Sequence, residues 1–571
     1  MLINEVTEKT GLSKKAIRFY EGKGLIQVAR KENGYRVYTE NDILTLKKIK
    51  ALRVCGISVS DIKLLFGNIV SIDDLLSKRK KEIENEQGMR LGQFDEIESI
   101  INTYKNENFD IESPFDEVTE NTTEKSDCLT VGIDIGSTTI SAAVIDVKFG
   151  NQIETYTINH GLDVKGEKPF FHEQDADAIC NKAIKLLQLI TENHTDIRSI
   201  GVTGQMHGIV YIDINGNAVS NLITWQDKRA DEPLENGGSY CDRIFKISGR
   251  QISTGFGFAT HYYNIINNIV AQQAYSFCSI MDYLVMKLTG LSFPVIHNSV
   301  AASFGLFDIQ KSEFDANAIS KLGMSKLALP KVTDEFCVVG EYNNTPVSVA
   351  IGDNQASFIG SVKDIDGTIL INIGTGSQIS MLSEACENTE SELRPLIKDK
   401  YILCGSALCG GKAYAILEKF FREYMLATSS SEFSQYDIIN KLSFDAYVHK
   451  KQAPEVMPYF QGKRSDPLER ASIGGITVEN FTPGELALGF IKGICRELYD
   501  LAGAQCKTKK LIIASGNAVR KIPIMKNVIE DTFGLPVKIS DNKEEAASGG
   551  AMFAAVAAGL VNSVYEISSI N

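Results

Sequence analysis

A chain of 571 residues is long enough for three or four domains and for sizeable cores without disulfides or structural metals. Apolar residues make up 43% and charged residues 23%, and no run of eighteen apolar residues occurs, which argues against disorder, collagen and a membrane span. The net charge of −13 hides an asymmetry, because residues 1–63 carry 13 Lys and Arg against 7 Asp and Glu. A basic head on an acidic body suits only the head to a polyanion, although a solvated basic face would account for the charge by itself.

The N-terminus opens with Asn4, Glu5 and Thr7 and has no signal-peptide apolar core, so a cytoplasmic location is expected. Eleven Cys are scattered from Cys55 to Cys506 with no CxxC pair; Cys404 and Cys409, the only close two, read as buried thiols rather than metal ligands. In the head, Gly11 follows a short helical stretch and Ser13 is placed to cap a second helix through Ala16, Ile17 and Tyr20, a helix-turn-helix pattern. Asn33-Gly34 within Val28 to Tyr38 predicts a hairpin. Helices are expected over Glu40 to Cys55 and Ser58 to Leu65, then a long one from Ile72 to Tyr104. Along it Leu76, Ile83, Phe94, Ile97, Ile101 and Tyr104 form a seam broken by Lys80, Gln87 and Arg90, which predicts pairing of two chains.

Ala16 to Glu21, Gly24-Leu25-Ile26, Gly34 to Tyr38, Asp42-Ile43 and Gly56-Ile57-Ser58 together resemble the MerR family of transcription regulators. The resemblance implies a winged helix-turn-helix that binds double-stranded DNA as a homodimer, its second helix in the major groove and its wing on the backbone. Arg18, Tyr20, Tyr35 and Arg36 are the DNA candidates, with core packing as the other role open to Tyr20. The domain expectations for this part are 1–70 for the DNA-binding head, 71–110 for the dimerisation helix and 111–127 for an acidic tether without helical or strand period.

The body opens with Leu129 to Asp146, an apolar run broken by Asp134, Gly136, Ser137 and Thr138. Two strands joined by a tight Gly turn would bring backbone amides and hydroxyls to a polyphosphate, with Asp134 near enough to hold Mg2+ through water. The pattern recurs at Thr368 to Ser380 around Gly374-Thr375-Gly376-Ser377, which predicts a duplicated fold whose halves meet one nucleotide. Neither GxxxxGK[ST] nor a strand-borne GxGxxG occurs, so P-loop and Rossmann sites are excluded. Between the turns, Gln205-Met206-His207 and Trp225 to Arg229 follow apolar strands and supply the donors and acceptors that sugar hydroxyls need. Asp353, followed by Asn354, comes just after a strand at the start of a Gly- and Ala-rich helix, where a carboxylate can also serve as a helix cap.

Taken together, these motifs resemble the FGGY carbohydrate kinases from about Leu129 to Leu560, and among them the sedoheptulokinase-like members through Gly204 to Gly208, Thr224 to Arg229, Thr254 to Thr260, Gly352 to Gln355 and Cys409 to Tyr414. The resemblance implies an α/β body of two actin- and hexokinase-like domains, 128–365 on the sugar side and 366–571 on the nucleotide side. The all-α winged head and the dimerisation helix precede it. The implied substrate is a free sugar, a ketose such as sedoheptulose, with xylulose, another pentulose or a polyol as alternatives; ATP and Mg2+ are the implied cofactors. Asp353 would be the base and Asp134 the metal ligand. Gln205, Met206, His207, Asp227, Arg229, Asp353 and Asn354 would face the sugar, while Gly136, Ser137, Thr138, Gly374, Thr375, Gly376, Ser377, Gly516 and Asn517 would face ATP. Ser515 stands where the family's adenosine turn commonly has another Gly, and the family's Lys and Trp after the sugar loop are replaced within His261 to Asn268. A sugar-sensing regulator built on an inactive kinase fold is the alternative function.

Overall fold

The computed structural model describes residues 1–30, 36–54, 56–67, 69–85, 128–383, 391–428, 434–464, 466, 468–540, 544–564 and 566. The chain forms two compact units, one of residues 1–127 with the short pieces Tyr156–Ile158 and Asn181–Asp196, the other of the rest.

In the head, helix Ile3–Thr10 ends at Gly11, whose φ of 65° is open to Gly at no steric cost. Ser13 then starts helix Lys14–Gly22 by accepting from the Ala16 amide at 3.1 Å. Ala29–Arg30 pairs antiparallel with Arg36–Val37, and helices Glu40–Val54, Val59–Phe66 and Ile72–Asn85 follow, the second capped by Ser58. Tyr35, the Asn33-Gly34 turn and the expected helical stretch 86–104 lie outside the described residues. One DNA candidate is corrected: Tyr20 is 4% exposed among Val6, Ile17, Leu46 and Ile49, so its ring is core and unavailable to a ligand. Arg18 is exposed, while Arg36 donates to Glu21 at 2.6 Å and so ties its strand to helix Lys14–Gly22.

The body repeats one unit twice. Strand Leu129–Ile135 turns antiparallel into Thr139–Asp146 and lies parallel to Ile197–Gly204; strand Thr368–Ile373 turns antiparallel into Ser377–Ser383 and lies parallel to Leu511–Ser515. The first sheet has seven strands, running Val338–Tyr342, Thr345–Ser348, Ile197–Gly204, Leu129–Ile135, Thr139–Asp146, Gln152–Asn159, with the short Ile351–Gly352 also on Ile197–Gly204. The second has six: Ser391–Ile397, Lys400–Ala407, Ser377–Ser383, Thr368–Ile373, Leu511–Ser515, Val537–Ile539.

The Ala- and Gly-rich C-terminal run forms helix Glu545–Ala557, which packs back on the first sheet and against helix Asp353–Ser361. Small residues make that approach possible. A Cβ on Gly132 would stand 1.8 Å from the Ala547 carbonyl oxygen, one on Gly201 1.9 Å from that of Gly550, and one on Gly549 1.7 Å from that of Ala356. Helix Glu545–Ala557 thus buttresses the helix that begins at Asp353.

Candidate active site

Three motifs leave the first sheet at one end of its parallel strands. Ile135 pairs with Gly204 across the parallel strands, and Gly352 pairs with Gly204 from the other side. The residues that follow, Gly136 to Thr138, Gln205 to His207, and Asp353, therefore emerge beside one another at the carboxyl ends of parallel strands, where open α/β sheets form their ligand crevices. A cavity of about 650 Å³ opens beside the second of these motifs, lined by Met206, His207, Phe256 and Ser303 from the first half and by Glu392, Arg394 and Arg464 from the second; Gly136 to Thr138 and Asp353 lie outside its wall.

Residues 129–369 match the N-terminal domain and residues 369–558 the C-terminal domain of the FGGY family of carbohydrate kinases, and residues 1–68 match the MerR HTH family of regulatory proteins. The chain belongs to the FGGY family. It is a sugar phosphotransferase carrying a MerR-type head. The sedoheptulokinase of Mus musculus is 24% identical over 470 residues, covering 74% of this chain and 96% of its own length. The crystal structure of a xylulose kinase from Rhodospirillum rubrum shares the fold at a TM-score of 0.65 and 19% identity, covering 77% of this chain and 92% of its own. That of the Plasmodium falciparum glycerol kinase with ADP matches at 0.63 and 20%, covering 78% and 93%.

In this FGGY kinase the loop 205–208 is held in an unusual backbone conformation. His207 has φ 73°; its amide donates to Ser303 Oγ at 3.2 Å, its Nδ1 lies 2.7 Å from the Ser303 carbonyl, and its ring stacks on Phe256 at 4.3 Å. Burial first, and the nearby Arg394 guanidinium second, push the imidazole down to about 4. At neutral pH His207 is thus an uncharged ring with Nδ1–H on the carbonyl and Nε2 left as an acceptor.

Asp353 is the first residue of its helix, the N-cap position belongs to Gly352, and no side chain caps that end. Its carboxyl nevertheless accepts from the Asn354 backbone amide in the first turn, so the helix-terminal role that the sequence left open to it is kept. Its Oδ1 accepts from Asn354 Nδ2 at 2.9 Å, and burial raises its carboxyl while Arg394 opposes the rise. Asp134 is pushed up to about 7 by burial and by the facing carboxylates of Asp353 and Glu544. That grouping of negative charge suits a divalent cation. Among the described residues, no three His, Cys, Asp or Glu are gathered as a metal-ligand set.

The two Gly turns are built differently. At the first, Gln174 donates to the Ser137 carbonyl at 2.7 Å, Trp225 Nε1 donates to Ser137 Oγ at 2.9 Å, and His160 Nε2 lies 3.1 Å from the Gly136 carbonyl. At the second, the Gly411 amide donates to the Gly374 carbonyl at 2.8 Å, and Gly410 and Lys412 both donate to Thr375 at 3.0 Å. Ser377 Oγ is buried without a partner in the described structure, a hydroxyl left for an incoming acceptor. Gly516, at φ 96°, presses on the end of strand Thr368–Ile373, where a Cβ would come within 2.5 Å of the Ile373 carbonyl; Asn517 begins the next helix.

Three sugar candidates are corrected. Arg229, 1% exposed, donates to Asp227 at 2.8 and 2.9 Å, to Asn264 at 2.7 Å and to Glu173 at 2.8 Å, with Phe171 stacked 4.1 Å from its guanidinium. Asp227, fully buried, also accepts from the His172 amide at 2.9 Å. Neither lines the cavity, because a charge buried this deeply is retained only when its neighbours satisfy it. Gln205 is buried beneath the loop, donating to Gln174 at 3.0 Å, and supports the first Gly turn from behind. Arg394 and Glu392 went unremarked in the sequence; the one local hint is an Arg inside the apolar end of strand Ser391–Ile397.

Proposed function

We propose that this chain transfers the γ-phosphoryl group of ATP to a hydroxyl of a free ketose such as sedoheptulose, with Asp353 as general base. The observation that carries the reading is the position of Asp353, beside Met206-His207 and the first Gly turn at the carboxyl ends of adjoining parallel strands. Met206 and His207 would seat the sugar, Nε2 of neutral His207 accepting from a hydroxyl. Asp353 would take the proton of the attacking hydroxyl. The Gly136–Thr138 and Gly374–Ser377 turns would offer amides and hydroxyls to the phosphates, and Gly516-Asn517 would sit at the adenosine. Asp134 would hold Mg2+, which when bound neutralises charge on the transferring phosphate. Xylulose or a polyol is the alternative substrate, in keeping with the xylulose and glycerol kinases that share the fold.

Asp353→Asn should retain sugar binding by calorimetry while ADP release falls at least about 100-fold. Near-normal turnover would overturn the assignment, and a wild-type chain that binds sugar without turnover would make the body a sensor.

For the head we propose a winged helix-turn-helix over residues 1–70 that binds duplex DNA, with Arg18 on helix Lys14–Gly22 and Arg36 and Tyr35 on the wing, and with pairing through the helix beginning at Ile72. The body would divide at 365/366 into sugar-side and nucleotide-side domains. No helix among the described residues is long and apolar enough to cross a membrane, and the setting proposed is the cytoplasm. A genomic binding selection should enrich a dyad whose occupancy falls steeply with salt; no enriched dyad at low salt, with or without sugar, would refute DNA binding.

A further inference from the structure

Arg394 reaches the base from the other half of the kinase body. Its side chain is 12% exposed, on the edge strand Ser391–Ile397 of the second sheet. Its Nη2 and Nε donate to Glu392 Oε2 at 2.8 and 3.2 Å, and its Nη1 donates to Asn354 Oδ1 at 2.5 Å. Gln378 Nε2 donates to the same Asn354 oxygen at 2.8 Å, and Asn354 Nδ2 donates to Asp353 Oδ1 at 2.9 Å. Glu392 and Arg394 both line the sugar cavity, so one hydrogen-bonded chain runs from the cavity wall through Asn354 to the carboxylate of Asp353.

The chemistry of the partners decides what the chain does. A carboxamide has a donor end and an acceptor end of nearly equal shape, and Gln378, itself an amide, could pair with Asn354 in either sense. A guanidinium has only donors. Arg394, which only donates, and the ionised Asp353 carboxylate, which only accepts, therefore demand the same sense of the Asn354 amide, and Arg394 locks it from the oxygen side with the NH2 on Asp353. Reversed, the Asn354 oxygen would oppose a carboxylate oxygen.

We propose that Arg394 is a positioning residue that sets the polarity of the Asn354 amide, so that Asn354 holds Asp353 Oδ1 and leaves Oδ2 to receive the sugar hydroxyl proton. The inference rests on Asp353 being the base. It also reassigns Asn354 from sugar contact to relay, since both ends of its amide are engaged.

The test is steady-state ADP release by the full chain, with D-sedoheptulose, D-xylulose and glycerol as probes and the fastest one carried forward. Arg394→Gln, which replaces an obligate donor by an ambivalent amide, should lower kcat on the order of 100-fold, with sugar KM within about threefold of wild type. Arg394→Lys, still donor-only, should recover about tenfold of that loss, since it keeps the polarity but not the fork that spans Glu392 and Asn354. Because Arg394→Gln strips a partner from Glu392 and risks the fold, Asn354→Leu serves as the second variant. It leaves the Arg394–Glu392 pair intact and should lose kcat alike. A rise in KM at retained kcat would make Arg394 a sugar contact and overturn the proposal, as would normal turnover in both Arg394→Gln and Asn354→Leu alongside an inactive Asp353→Asn. An active Asp353→Asn would instead remove the base assignment itself.

Discussion

Gly549→Ala tests whether the C-terminal helix positions the base. A Cβ at 549 would stand 1.7 Å from the Ala356 carbonyl oxygen, and the next nearest atoms are also backbone of Ala356, so no flexible side chain can yield. Helices Glu545–Ala557 and Asp353–Ser361 would have to part by about 1.3 Å to bring that contact to 3.0 Å. Overpacking of a well-packed core costs roughly 1–3 kcal/mol, and with backbone as the obstacle the upper end applies. Alanine's better helix propensity returns about 1 kcal/mol, for a net loss of about 2 kcal/mol. Function should suffer more than stability. Ala356 lies one turn from Asp353, and a displacement of about 1 Å at a reacting group lowers turnover on the order of 100-fold. Chemical denaturation and ADP-release kinetics read the two effects, with Gly474→Ala, where a Cβ meets nothing within 4 Å, as the control. A Gly549→Ala enzyme with wild-type stability and turnover would show that the two helices slide freely and that their contact does not set the base.

Asp227→Asn should destabilise the kinase by roughly 1.5–3 kcal/mol in denaturant, because it weakens the charge-assisted bonds from Arg229 while Glu173 still faces the guanidinium, and sugar KM should stay unchanged in the folded fraction; intact stability with a raised KM would restore Asp227 as a sugar contact. His261 and His297 are fully buried and pushed down to about 4, so both are neutral in the fold and protonate readily only once unfolded. Their stability contribution is complete above about pH 6.5 and is lost as pH falls toward 4. Between pH 7.5 and 5 each should account for a loss of about 2 kcal/mol. His261→Gln, which keeps a partner for the Tyr211 hydroxyl, should shrink the measured loss by that amount, and an unaltered pH dependence would refute the assignment.

Local signals were legible in the chain because local geometry enforces them. Gly11 ends a helix through a left-handed φ, Ser13 and Ser58 cap the next ones through bonds spanning three residues, and both body hairpins turn at their Gly clusters. The repeat of strand, Gly turn and strand implied two related halves, and the sheet topology has them. Roles that depend on distant partners could not be read this way. Asp227 and Arg229 have the composition of a sugar site, yet Glu173 and Asn264, 56 and 35 residues from Arg229, accept from its guanidinium and hold the pair inside the fold. Tyr20 sits on the same helix as exposed Arg18, and only the packing of helix Glu40–Val54 and its neighbours turns it inward. Arg394 meets Asn354 across 40 residues and from the opposite half of the body. Backbone conformation follows from sterics within a few residues, whereas the environment of a charge is set by whatever the fold brings within a few ångströms of it. Helix caps, the two body turns and family membership are thus written in local residue patterns, whereas which polar side chains face the cavity and which hold it together depends on partners that only the folded chain supplies.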